Sequence, residues 1–404
     1  MIPVTPHQFA LFRIMVGAYL LIHFTNLIPY APEMFSNQGL IPNGLWNPTS
    51  KIFPNILNLY DSPVITQTFL VMMTFLSGLL MIGWKRPWVA FLLWYGWACL
   101  FNRNIFIANP SLPFMGWLLI AFVVIPSGEP LSKGTERNLN WFFPKEIFYG
   151  AWILLSLGYT LSGIHKLESP SWLDGTALYH ILSNPLGRNN YLCEWLISIP
   201  EFLKLSTWGI WGLEFFFAPL ALFPGFRPWL WLAVVLMHFG VLSTIDFADL
   251  TFGILMFHFF TFDARWIPAR TSIRDQTPIL FFDGMCGLCN GFIDFLLQEE
   301  RIPVYQFSPL QGEAAAHYLD EIQQTQLESL VIWKDNTILM KSSATLKCLV
   351  DLGGIWGLSR VFYLIPAPVR DWVYDLIASN RYNIFGKRET CRFPTPEEKA
   401  RFLE

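Results

Sequence analysis

Residues 281–289 read Phe281-Phe282-Asp283-Gly284-Met285-Cys286-Gly287-Leu288-Cys289. Two phenylalanines end the apolar run 278–282, which reads as a buried strand. From Gly287 the pattern changes to a helical period, with Leu288, Phe292, Phe295 and Leu296 on one face. The Cys-x-x-Cys therefore stands at a strand-to-helix junction. Two thiols three residues apart can cycle between dithiol and disulfide, and a helix N-terminus favours the thiolate of the first. Cys286 is thus expected to be an exposed nucleophile of lowered pKa, with Cys289, one turn on, as the resolving thiol. Zinc is the competing reading, but a four-coordinate site needs further ligands, and locally only His317, Cys348 and Cys391 are to hand. No metal is expected. Asp283 reads either as a proton acceptor during exchange or as a strand-end Asp-Gly turn residue.

Outward from this motif the composition divides. The chain has 404 residues, 53% hydrophobic and only 14% charged, with mean hydropathy +0.39; soluble domains carry roughly 25% charged residues. Eighteen Trp and 37 Phe suit bilayer interfaces. A net charge of −3 gives no reason to expect a nucleic-acid partner. Residues 1–263 are apolar, 264–277 read as a linker and 278–404 have soluble composition. The expected fold class is a polytopic α-helical membrane bundle followed by a small α/β domain.

A span takes about 20 mostly apolar residues. Eight candidates are 8–28, 64–83, 88–101, 112–126, 146–164, 203–223, 228–245 and 249–262, separated by Pro29, Pro87, Pro110, Pro126, Pro200 and Pro228. Met1 to His7 lack Lys and Arg, and the first apolar stretch contains Arg13, so it reads as a retained span. Lys85, Arg86, Lys133, Arg137, Lys145, Arg227, Arg265, Arg270 and Arg274 fall on one side, and the positive-inside rule makes that side cytoplasmic. Both termini and the Cys-x-x-Cys domain follow, the expected location being a bacterial inner membrane. The stretch 165–200 is too polar to span and is expected at the outer interface.

In the soluble part, strands are expected at 278–282, 303–307, 329–333 and 337–341, with helices at 287–298, 310–320 and 343–352, then 356–364 and 368–379. This order, with Asp283-Gly-x-Cys286-x-x-Cys289, Ser343-Ala344, Leu352-Gly353-Gly354, Ile365-Pro366 and Asn380-Arg381-Tyr382 ahead of Cys391, resembles the DCC family of thiol–disulfide oxidoreductases. The resemblance covers about 277–396. It implies a thioredoxin-like fold and a redox role for Asp283, Cys286 and Cys289. No proline precedes the 329–333 strand, so the cis-proline that lines thioredoxin active sites is missing. Cys391 is expected either near the active pair or as a buried thiol, and Cys348 in the core.

The membrane part has its own constellation. Tyr159-Thr160-Leu161-Ser162-Gly163-Ile164-His165-Lys166-Leu167, followed by Ser171-Trp172-Leu173-Asp174-Gly175, resembles the horizontally transferred transmembrane domain shared with vitamin K-dependent gamma-carboxylase. Arg13, Arg103-Asn104, Glu214-Phe215-Phe216 and His238 fit the same resemblance. It implies that Lys166 acts as a base on a hydroquinone, and that His165, Arg13, Glu214 and His238 line its site. The cofactor so implied is a membrane quinone; the residues by themselves call for none. The blander readings are a Lys166 that snorkels or pairs with Glu168 or Asp174, and an Arg13–Glu214 structural pair. Cys99 and Cys193 lie near the outer face, where a second disulfide would make a relay.

Three functions compete. The first is an integral-membrane thiol–disulfide oxidoreductase exchanging with a disulfide-bearing protein or small thiol, coupled to a quinone or a partner protein. The second is a carboxylase-like hydroquinone enzyme. The third is a lipid- or peptide-binding membrane protein with structural cysteines.

Overall fold

A computed structural model describes residues 3–138, 140–270, 277–319, 330–334, 337–387, 394–396 and 398–403. The chain forms two compact units, one of Gln8–Phe262 and one combining Met1–His7 with Asp263–Glu404.

The first unit is helical. Its longer helices are α1 (Pro6–Leu27), α2 (Pro63–Ile82), α3 (Arg86–Arg103), α4 (Ser111–Val124), α5 (Lys145–Lys166), α6 (Pro200–Phe215), α7 (Arg227–Thr244) and α8 (Ala248–Phe260). Each of the eight apolar segments therefore contains a helix. Several start where the sequence says they must: Pro63, Pro200 and Pro228 occupy first-turn positions, where a missing N–H costs nothing. Ser62 caps α2 by accepting from the Ile65 N–H, which satisfies one of that end's unpaired donors. Among the described residues, three helices are long and apolar enough to cross a membrane: α1 with its continuation to Phe35, α2 and α5. Ser111–Val124 and Asp249–Phe260 are shorter apolar helices. The 165–200 stretch holds three short helices, Pro170–Leu173, Ala177–Leu182 and Tyr191–Ile197.

The expected Arg13–Glu214 pair does not form. Arg13 lies 3.3 Å from Glu129, as part of a buried Arg13–Glu129–Arg86 triad. Backbone carbonyls near the ends of α2 and α4 and in the following turn also hold the two guanidiniums. Arg13 donates to the carbonyls of Leu80 and Leu131 at 2.7 and 2.8 Å. Arg86 donates to those of Ile125 and Pro126 at 2.8 and 2.7 Å. Glu129, in a Ser-Gly-Glu-Pro turn, looks like an ordinary loop charge in the sequence. Folding makes it the counter-ion of both.

In the second unit, four strands form a mixed sheet in the order β2-β1-β3-β4: β1 (Ile279–Phe282), β2 (Gln306–Pro309), β3 (Val331–Lys334) and β4 (Thr337–Met340). β2 runs parallel to β1, while β3 is antiparallel to both β1 and β4. β1 is buried on both faces. Leu280 and Phe282 join Ile293, Leu296, Phe307 and Ile332 on one side, and Ile279 and Phe281 join Leu310, Ala315 and Val331 on the other. Alternation along a strand sends neighbours to opposite faces, which explains the continuous apolar run. Helices α9 (Gly287–Glu299), α10 (Glu313–Tyr318), α11 (Lys341–Leu352) and α12 (Ala367–Phe385) complete the unit.

Several boundaries differ from expectation; α10, for example, spans Glu313–Tyr318 rather than 310–320, and α11 starts at Lys341 rather than 343. β2 begins three residues late, because Val304 and Tyr305 bury as an extended lead-in. α12 runs to Phe385 rather than 379. Pro366 caps it and Pro368 lies in its first turn, so they separate it from the 358–364 turn as expected. The extension carries Arg381 and Tyr382 into the site described next.

Candidate functional site

β1 ends at Phe282 and the chain turns through Asp283-Gly284-Met285 into the start of α9, with Cys286 as N-cap. Two side chains fix this turn. Asp283 accepts from the Met285 N–H at 3.0 Å. Buried Asn290, one turn into α9, donates to the carbonyls of Gly284 and Cys286 at 2.8 and 2.7 Å. Asn290 follows Cys289 directly and gave no signal in the sequence beyond that adjacency.

Asp283 is almost fully buried and has three further donors. Gln311 donates to Oδ1 at 3.0 Å and Arg381 to Oδ2 at 3.2 Å; the Tyr382 hydroxyl also donates to Oδ2. Burial by itself would raise the Asp283 pKa. The hydrogen bonds from Tyr382, Met285, Gln311 and Arg381 more than reverse this and hold it below the ordinary carboxylate value. Asp283 is thus a fixed anion with its acceptor positions occupied. The Arg381 guanidinium also packs over the Tyr382 ring, 4.6 Å from its centroid.

The two cysteines exchange their expected exposures. Both are free thiols, but Cys286 is completely buried and Cys289 is the half-exposed one. The end of α12 covers Cys286. The Gly287 N–H donates to the Gly386 carbonyl at 3.1 Å, and Cys286 makes an isolated antiparallel bridge with Lys387. A Cβ at Gly287 would collide with the Phe385 carbonyl oxygen, so glycine is needed for this approach. No local pattern in 281–289 announces a cover that arrives a hundred residues later.

Cys289 opens into a cavity of about 240 Å³ lined by Leu288, Phe292, Leu330, Tyr374, Ile377 and Arg381, among others. Burial pushes the Cys289 thiol well up, the Cys286 sulfur beside it and the Asp283 charge push it further, and Arg381 opposes them. Tyr374 is pushed up to about 12, chiefly by burial; its hydroxyl accepts the Leu330 N–H at 2.8 Å. That contact occupies the backbone donor just ahead of β3. Cys348 lies buried in the core beneath the sheet. Among the described residues no group of three or more His, Cys, Asp or Glu side chains could hold a metal, and Cys391 lies outside the described residues.

In the helical unit, the structure brings Lys166, Glu214 and His238 to one neighbourhood. Lys166, the last residue of α5, pairs with Glu214 of α6, not with Glu168 or Asp174. It also donates to Ser162 Oγ at 2.9 Å and lies 4.7 Å from the Trp172 ring centroid. The pairing depends on Gly163: a Cβ there would fall 2.6 Å from the Phe215 Cα, so only glycine lets α5 and α6 meet backbone to backbone. A cavity of about 290 Å³ is lined by Tyr159, Ser162, Glu214 and His238 with Phe114 and Ile254, among others. The Tyr159 hydroxyl sits 2.7 Å from His238 Nε2 and 2.6 Å from His258 Nε2. Neither Arg13, engaged by Glu129 as above, nor His165, exposed on the helix surface, is among its lining residues. His258, which with Arg13, Glu214 and His238 reads from the sequence as a membrane-depth residue that could line a cavity, is not among the lining residues but reaches the cavity's Tyr159; Tyr159 was not singled out as a lining residue from the sequence. Cys99 and Cys193 are buried and free.

A dithiol at a helix start, beside a four-stranded mixed sheet and under an anchored arginine, defines a thiol–disulfide oxidoreductase scaffold. The chain belongs to the DCC1-like thiol-disulfide oxidoreductase family, whose profile matches residues 280–387. It is 38% identical over 135 residues to the uncharacterized protein YuxK of Bacillus subtilis (strain 168), covering 33% of this chain and 98% of that protein. It is 33% identical over 132 residues to a chloroplastic DCC family protein of Arabidopsis thaliana, covering 31% of this chain and 76% of that one. No solved structure matches.

Proposed function

We propose that the protein is an integral-membrane thiol–disulfide oxidoreductase whose working pair is Cys286 and Cys289. The observation that carries this reading is the placement of Cys289 at the wall of a cavity, next to a buried partner cysteine and an arginine locked by Asp283. In the forward direction the Cys289 thiolate attacks a substrate disulfide, forming a mixed disulfide and releasing one thiolate of the substrate. Cys286 then attacks Cys289 Sγ, closing the protein disulfide and releasing the second. The pair is oxidised by two electrons and the substrate disulfide is reduced to two thiols. Arg381 partly offsets the burial that raises the Cys289 pKa, and Asp283 acts as a positioning residue for Arg381 rather than as a proton acceptor. This order inverts the one expected from the sequence, because the accessible sulfur is the second.

The test separates the two orders. Cys286→Ser should accumulate a mixed disulfide on Cys289 with a model disulfide, since its resolving thiol is gone, and Cys289→Ser should accumulate none. The reverse pattern assigns attack to Cys286 and requires the end of α12 to lift. No mixed disulfide in either variant refutes exchange at this pair.

The membrane reading extends this proposal. Eight helices cross the bilayer, with residues 1–263 as the membrane domain, 264–277 as linker and 278–404 as the thioredoxin-like domain. Both termini and the redox domain face the cytoplasm of a bacterial inner membrane, and 165–200 rests at the outer interface. These statements are supported by three helices long and apolar enough to span and two shorter apolar ones, by the helices found in the other three apolar segments and by the Lys/Arg bias of the loops. Labelling Cys289 in intact spheroplasts with a membrane-impermeant maleimide should give no product until the membrane is opened; prompt labelling reverses the topology.

A second reading concerns the helical unit, where the cavity holding Tyr159, Ser162, Glu214 and His238 fits an apolar molecule with a hydroxyl or carbonyl head. A membrane quinone exchanging electrons with the cysteines is the occupant that the gamma-carboxylase-like resemblance suggests. Lys166, engaged by Glu214, is not a free base in this arrangement, so carboxylase-like proton abstraction is the weaker alternative.

A further inference from the structure

Helix α12 carries an apolar stripe on the wrong side. Val369, Trp372, Val373, Leu376 and Ile377 recur at the i, i+3, i+4, i+7, i+8 spacing of one helix face. In a soluble domain such a stripe packs inward, yet here Trp372 is 67%, Leu376 55% and Val369 52% exposed. The opposite face makes the packing contacts: Asp371 accepts from Ser342 and Tyr374 accepts from Leu330. The segment just before it adds Val361, Phe362 and Leu364, the last 84% exposed. Contiguous exposed apolar surface of this extent marks an interaction site.

Three observations select the partner. First, the same chain contains helices apolar and long enough to cross a membrane, so a bilayer is at hand. Second, the charge pattern is one-sided. Arg360 and Lys387 are exposed near the stripe, while its carboxylates are already engaged, Asp375 by Lys341 at 2.7 Å and Asp371 by Ser342. Lys387 also lies 5.6 Å from the Tyr382 ring centroid. An apolar stripe with aromatic residues and exposed cations at its rim is the composition of a helix lying in a lipid headgroup layer. Third, Ile377 belongs both to the stripe and to the wall of the cavity holding Cys289, so the apolar face runs into the mouth of that cavity.

We infer that the 361–377 face is seated in the headgroup–acyl boundary of an anionic bilayer, and that the cavity beside Cys289 opens there. The redox role of that cavity rests on the function proposed above; the seating does not. If both hold, the thiol or disulfide that reaches Cys289 is drawn from the membrane phase, and water-soluble substrates reach it poorly.

The full chain is placed in lipid nanodiscs of mixed phosphatidylglycerol and phosphatidylethanolamine. A photoreactive benzoyl-phenylalanine replaces Leu364, Trp372 or Leu376 in turn, with Lys399, exposed elsewhere on the unit, as control. After illumination, mass spectrometry should find lipid adducts at all three positions, about ten-fold above the control. Adducts joining two copies of the chain would replace the bilayer with a homodimer and overturn the inference. Adducts no more abundant than at Lys399 would overturn it as well. Photocrosslinking needs no turnover, so repeating it in a Cys286→Ser/Cys289→Ser background separates the outcomes: lipid adducts that persist there support the seating even if exchange at the pair is refuted.

Discussion

Replacing Asp283 by asparagine tests how the site is held. The carboxylate side chain is 2% exposed and that of Arg381 7%, so the substitution leaves a buried guanidinium facing an amide. Breaking one partner of a buried ion pair costs about 3–5 kcal/mol. The low end applies, because Arg381 keeps its bond to the Ala378 carbonyl at 3.1 Å and its seat on the Tyr382 ring. Met285 and Gln311 can still donate to the asparagine oxygen. A loss of about 3 kcal/mol corresponds to roughly a hundred-fold fall in hydrogen-exchange protection of the β1 amides, if these exchange through global opening of the unit. The same change removes a negative charge that raises the Cys289 pKa, so alkylation of Cys289 should begin at lower pH and be faster at neutrality. Stability and thiol reactivity therefore move in opposite directions. If Asp283 were instead the proton acceptor of the exchange, thiol exchange would slow in the variant while protection stayed near the wild type; that pair of results, or protection within experimental error of wild type alone, refutes the anchoring argument. The pH dependence has a definite sign. The folded pKa lies below the ordinary 3.8, so the stabilisation is complete above that value and is lost as pH falls through the depressed one.

Gly287→Ala should lower the stability of the second unit by about 1–3 kcal/mol through overpacking against the end of α12, and should accelerate alkylation of Cys286 by lifting its cover. Unchanged Cys286 labelling would mean that the 385–387 segment does not control access. Glu129→Gln leaves Arg13 and Arg86, both essentially unexposed, without their shared counter-ion. A loss of about 3–5 kcal/mol follows, read as a lowered thermal midpoint of the detergent-solubilised chain, and a midpoint equal to wild type would exclude the triad as a structural element. Lys166→Met should destabilise by isolating Glu214, and Lys166→Met with Glu214→Leu should recover much of the loss. Strict additivity of the two single losses would show that the ion pair is not formed in the folded chain.

Most of the fold was legible because it rests on local pattern. The apolar run 279–282, the helical period after Gly287 and the prolines at helix starts are properties of neighbouring residues, and each became the expected element. The Cys-x-x-Cys was likewise local, and the DCC1-like family match over residues 280–387 supports the redox role it pointed to. What the sequence misplaced was decided between residues far apart. Pro366 and Pro368 separate the 358–364 turn from α12 as expected, but α12 continued six residues past 379 and delivered Arg381 and Tyr382 to Asp283. The same continuation buried Cys286 and left Cys289 as the reachable sulfur. Ion pairing showed the same division. The presence of costly buried charges at Arg13 and Glu214 could be read from composition, since each interrupts an apolar stretch. Their partners could not, because a counter-ion is chosen by which helix ends pack together. The sequence alone thus determined the elements and the chemistry of the motif. The tertiary structure decided which cysteine lines a cavity, what holds the arginine beside it and which apolar face stays exposed, because burial and long-range pairing exist only once the chain has folded.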